Sequence, residues 1–126
     1  MPARRPDPRG RESVTAVARA LDDGVPPEAG ELRDAARYLL QLLAARYPGR
    51  VLEVRIPPVA AVQCLPGPVH TRGTPPNVVE TGPLPWIRLA TGRTSWARIT
   101  GAEGNVAQLT ASGERSDLSG LLPVMG

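Results

Sequence analysis

The sequence predicts an α+β domain, with a mostly antiparallel sheet of four to five strands and helices packed on one of its faces. Three observations lead there. The segment 28–46 carries an apolar stripe at helical spacing, wide enough to need a large apolar partner. Short segments that alternate or run apolar follow it at once. The links between them are too short or too rich in proline for helical crossovers, which points to antiparallel neighbours.

The elements follow in order. Residues 1–12 read as a disordered basic arm, with Pro2, Pro6 and Pro8 set among alternating charges, and 13–126 as a single domain. Ser13 is a candidate cap for a helix from Val14 to Asp22, whose Val14, Val17, Ala18 and Leu21 share one face. Asp23 and Gly24 end it. Pro26 and Pro27 suit the opening of the second helix, and Glu28 and Glu31 complement the positive end of its dipole. Leu32, Ala35, Ala36, Leu39 and Leu43 form its stripe, widened by Leu40 and Leu42, while Asp34 and Arg37 can pair on the wet side. Pro48 and Gly49 stop it.

Val51 to Ile56 alternates, with Leu52, Val54 and Ile56 on one face and Glu53 and Arg55 on the other. Pro57 and Pro58 break it. Val59 to Leu65 is a second strand, apolar on both faces and so expected to be more deeply covered. A loop rich in proline and glycine runs from Pro66 to Asn77, and Val78 to Thr81 is a third strand. Then Leu84, Trp86, Ile87, Leu89 and Ala90 suit a short helix that ends at Gly92, and Thr94 or Ser95 can cap another from Trp96 to about Thr100. Val106 to Ser112 is the last strand, and Ser116 caps a closing turn in which Leu118, Leu121 and Leu122 share a face. A fifth strand has room in 66–74 or in a split of 106–114.

Composition removes several function classes. The chain has 126 residues, enough for one core without staples, and 41% hydrophobic against 21% charged residues marks it as globular. All its basic residues are arginine, as in a GC-rich genome, so each Arg carries less meaning as a chosen donor fork. The net charge of +3 is scattered, without the clustering that a nucleic-acid surface needs, so nucleic acid is not an expected partner. Cys64 and His70 are single, which rules out an internal disulfide and a thiolate–imidazole zinc site; no metal or other cofactor is expected. The first residues lack the apolar stretch of a secretory signal, and the longest apolar run, 38–45, is too short to span a bilayer. A reducing, cytoplasmic setting is expected.

The stretch from Trp86 to Trp96, and then Ala111-Ser-Gly-Glu-Arg-Ser-Asp-Leu-Ser-Gly-Leu-Leu122, resembles the C-terminal half of sterol carrier domains. Ala60-Ala-Val-Gln-Cys64 and the string from His70 to Thr81 resemble the actinobacterial branch of bacterial sterol carrier proteins. The likeness covers roughly residues 28–123. It implies a five-stranded, mostly antiparallel sheet and an apolar tunnel between sheet and helices that holds a lipid or another hydrophobic small molecule.

On that footing, the candidate ligand-binding residues are Leu39, Leu43, Trp86, Leu89, Trp96, Leu118, Leu121 and Leu122 as apolar walls, with His70 and Arg72 at the polar end. Each has a plainer reading. The two tryptophans suit core packing as well as a pocket lid. Arg72 can pair with Glu80 as well as hold a carboxylate or phosphate. Cys64 and His70 lack a third, orienting group, and a cysteine within a strand behaves as a small apolar residue. No catalytic motif occurs, so a non-catalytic binding domain is expected; the alternative is a protein-interaction module that reuses the fold without a cavity.

Overall fold

Asp7 sets where the first helix begins. Its carboxylate accepts the Arg9 amide at 3.0 Å, Pro8 occupies the first turn, and helix α1 runs from Pro8 to Asp22. Residues 8–12, expected to belong to the arm, are helical, because the Asp7-Pro8 start signal lies ahead of Ser13; residues 1–5 of that arm lie outside the described residues. The computed structural model describes residues 6–68, 77–100 and 109–125. Gly24 closes α1 with φ +70°, while the Val25 amide reaches back to the carbonyl of Ala20.

Helix α2 spans Ala29–Arg46, and Glu28 caps it by accepting the Gly30 and Glu31 amides, both at 2.9 Å. Asp34 and Arg37 pair at 3.4 Å on its exposed side, as their spacing predicts. Ala35, Ala36, Tyr38, Leu39, Leu40, Leu43 and Ala44 are buried. Such wide burial arises because α2 has partners on several sides: α1 packs on it, and it packs in turn on the sheet and on the third helix. Gly10 makes the α1 contact possible. A Cβ there would stand 2.6 Å from Cβ of Tyr38, so only glycine lets the helices approach this closely.

Among the described residues the sheet is formed by β1 (Leu52–Ile56), β2 (Ala60–Cys64), β3 (Asn77–Thr81) and β4 (Leu109–Ser112), in the order β2-β1-β3-β4. β1 pairs antiparallel with β2, and β3 antiparallel with β4. The central pair, β1 with β3, is parallel, so the sheet is mixed, with two of its three pairings antiparallel. Consecutive antiparallel neighbours were the expectation. The difference arises because the β1–β2 hairpin occupies one edge of β1 and itself serves as the first part of the crossover to the other edge.

Register puts one apolar face together. Leu52, Val54 and Ile56 stand opposite Cys64, Val62 and Ala60 on one side, and Leu52 and Val54 stand beside Asn77 and Val79 on the other. The alternate residues Ala61, Gln63, Glu80, Thr110 and Ser112 are exposed on the opposite face, where Arg55 and Glu53 pair at 2.9 Å. The second strand is less covered than expected, because it lies outside β1 and only Cys64 of its five residues is buried.

Helix α3 (Pro83–Ala90) and the short α4 (Trp96–Thr100) follow, and a single 3₁₀ turn, Ser119–Leu121, stands near the chain's end. Ser116 does not cap that turn. Its hydroxyl donates to the carbonyl of Gly113, and Asp117 accepts the Ser119 amide instead. Of the places foreseen for a fifth strand, 69–74 and 106–108 lie outside the described residues, while 109–114 holds the one strand β4 and no second one.

Two close contacts lock the sheet to the chain segments that flank it. After α2 the chain crosses the end of β2: the Leu65 amide donates to the carbonyl of Tyr47 and the Val51 amide to that of Leu65. A Cβ on Gly49 would lie 1.7 Å from the Leu65 carbonyl oxygen, so this crossing excludes any side chain. The second contact is Asn77, buried at the start of β3. Its Nδ2 donates to the Val51 carbonyl at 2.9 Å, and its Oδ1 accepts the Arg115 amide at 2.8 Å. Asn77→Ala leaves both partners unsatisfied and is expected to lower stability by ~2–3 kcal/mol in urea unfolding, and Asn77→Asp, which keeps an acceptor for the Arg115 amide but sets a buried carboxylate oxygen against the Val51 carbonyl, is expected to cost at least as much at neutral pH.

Candidate functional site

Leu39 and Leu43 project from α2 into the space above the sheet's apolar face and have no exposure. Trp86 meets them from α3, and Leu118 closes the group from the segment after β4; both are wholly buried. Leu52, Val54, Ile56, Cys64 and Val79 supply the sheet side. Trp96, Leu121 and Leu122 are partly buried and pack against this cluster. The structure thus brings seven of the ten sequence-derived candidates to one apolar interior. Leu89 is also buried on α3, although it is not part of that cluster. His70 and Arg72 lie outside the described residues.

Trp86 sits as a rivet within the core. Its Nε1 donates to the carbonyl of Ala36 at 3.1 Å, which fastens α3 to the middle of α2 and satisfies the one polar atom that burial would otherwise strand. Trp96, on the short α4, keeps part of its surface in solvent. Sequence reading missed the sheet-side walls as site residues, although the alternation of Leu52, Val54 and Ile56 carried that signal. It also missed Asn77, for which no local pattern exists.

Two surface clefts flank this interior. One, of about 610 Å³, lies between α1 and α2 and is lined by Asp7, Arg9, Glu12, Asp34 and Arg37 around the edge of Tyr38. The other, of about 420 Å³, lies between α1 and the end of α3, with Val14, Ala18 and Met125 inside and Arg19, Asp22 and Arg93 around it. Arg93 holds both oxygens of Asp22, at 2.8 and 2.9 Å, and this pairing keeps the Asp22 carboxyl below the usual carboxylate range. In the first cleft Asp7 pairs with Arg9 and Asp34 with Arg37, and in the second Asp22 pairs with Arg93.

Cys64 faces the apolar side of the sheet, and burial pushes its thiol up from the ordinary 9.0 to about 11. Such a thiol is a poor nucleophile at neutral pH. Among the described residues no three His, Cys, Asp or Glu side chains gather as a metal site, and no helix is long and apolar enough to cross a membrane.

Two predictions follow from this packing. Trp86→Phe removes the bond to Ala36 and some volume and is expected to cost ~1–2 kcal/mol, read by urea unfolding, with loss of the blue-shifted part of the tryptophan emission. The raised Cys64 thiol stabilises the fold fully below pH 9.0, and that contribution fades as pH rises toward about 11, because the unfolded thiol ionises first. The stability advantage of the wild type over Cys64→Ala should therefore shrink by up to ~3 kcal/mol across that window.

No curated protein matches the chain. The family described as bacterial SCP ortholog matches residues 14–124, from the buried Val14 of α1 to the buried Val124, and so takes in every described element except the opening turns of α1. The chain therefore belongs to the bacterial sterol carrier protein-like family.

Proposed function

We propose that this domain is a non-catalytic carrier for an amphipathic lipid or another hydrophobic small molecule. The apolar body of the ligand lies between α2, α3 and the closing segment on one side and β1 and β3 on the other. Its polar end is assigned to His70 and Arg72. The observation that carries this reading is one apolar interior, walled by Leu39, Leu43, Trp86 and Leu118 over Val54 and Val79, in a chain of this family. Burial of such surface is worth about 25 cal/mol per Å², so a single acyl chain suffices for micromolar affinity. Burial holds the Cys64 thiol neutral, which removes that one side chain as a nucleophile.

A second reading is favoured by a specific observation. Trp86 is wholly enclosed and hydrogen-bonded, so the space beneath α3 is filled by side chains. A filled interior suits a protein-interaction module that uses the fold as a scaffold.

Titration with a fluorescent fatty acid separates the two. Carriage predicts micromolar binding with quenching of Trp86 or Trp96, and a loss of about tenfold or more in affinity for Leu43→Asp, which places a charge against the acyl chain. Leu39→Met, close in volume, should bind as the wild type does. Saturable binding of no fatty acid or sterol probe would remove the carrier reading and leave the interaction module.

A further inference from the structure

We propose that residues 116–125 form a strap that lifts as a unit to admit the ligand; this inference rests on the carrier reading above. The interior is closed: Leu39, Leu43, Val54, Val79 and Trp86 have no exposure. A ligand can reach them only if one wall moves. The walls differ greatly in how they are fastened. Helix α2 is a continuous helix of 18 residues with partners on several sides. Strands β1 and β3 each have a hydrogen-bonded neighbour on both edges. Helix α3 is tied to α2 through Trp86.

The segment 116–125 is held differently. Its only regular structure is the 3₁₀ turn at Ser119–Leu121. Among the described residues its backbone is fastened at the two ends. The Arg115 amide just before it donates to Asn77, and at the far end the amides of Val124 and Met125 share one acceptor, the carbonyl of Ala90. The Arg46 guanidinium holds the Val124 carbonyl from the end of α2. Between these points the bonds are local: Leu121 amide to Leu118 carbonyl, and Ser119 amide to Asp117. The stretch nevertheless carries Leu118 and Val124 into the core as plugs. Lifting it exposes the cluster edge while leaving the α2–sheet packing and the sheet's ladder intact.

Native-state hydrogen exchange on the free protein is the first test. The amides of Leu121, Val124 and Met125 should exchange together, about tenfold or more faster than those of Val54 and Val79. Arg46→Ala should speed exchange at those three amides by roughly fivefold and leave Val54 and Val79 slower than the strap. In stopped-flow mixing with a fluorescent polyene fatty acid, the same variant should raise uptake and release by equal factors and leave Kd unchanged. Damage to the site itself would shift Kd instead. Exchange of the three amides only through global unfolding overturns the strap, whatever the ligand data say. Faster exchange in Arg46→Ala with unchanged uptake and release also overturns it, and leaves the carrier reading standing. Absence of probe binding to the wild type removes both.

Discussion

Burial of α2 is the constraint on which the remaining structure depends. The helix buries seven residues, more than one face can account for, so it must be enclosed by α1, the sheet and α3 together. Small residues make that geometry possible. Ala35 and Ala36 have no exposure and keep the helix slim where neighbours converge, and the carbonyl of Ala36 is where Trp86 attaches. The sheet contributes a flat apolar partner, which is why Leu52, Val54 and Ile56 alternate with Glu53 and Arg55 rather than running apolar throughout.

Much of this was legible in residue order. The stripe from Leu32 to Leu43, the alternation across Leu52–Ile56, and the two short helices around Trp86 and Trp96 all appear where the sequence places them. Local periodicity suffices for such elements because each one's neighbours in the chain define its buried face. The start of α1 was less clear, since the charges around Pro8 resemble a solvated tail until Asp7 is seen as a cap. The parallel pairing of β1 with β3 was not legible at all. Nothing within either strand distinguishes a neighbour joined by a hairpin from one reached around it, and pairing is decided by which edge remains open once β2 is placed.

The candidate site shows the same division. Apolar residues converge because apolar faces must, and so Leu39, Leu43, Trp86 and Leu118 meet as their periodicities imply. Tertiary hydrogen bonds carry no such signature. The Trp86–Ala36 and Asn77–Arg115 contacts join positions 50 and 38 residues apart, and neither could be read from composition or spacing. They decide whether a large side chain is a fixed pillar or a movable cover, which is the distinction that matters for a domain of this family.

Asn77 has a consequence for how the domain is made in the cell. Its two bonds reach back 26 residues to Val51 and forward 38 to Arg115. The junction of β1, β3 and the chain beyond β4 therefore cannot form until residue 115 has left the ribosome. Nascent chains that already contain α2 and the first hairpin must wait with that apolar surface uncovered, the circumstance in which chaperones find their clients.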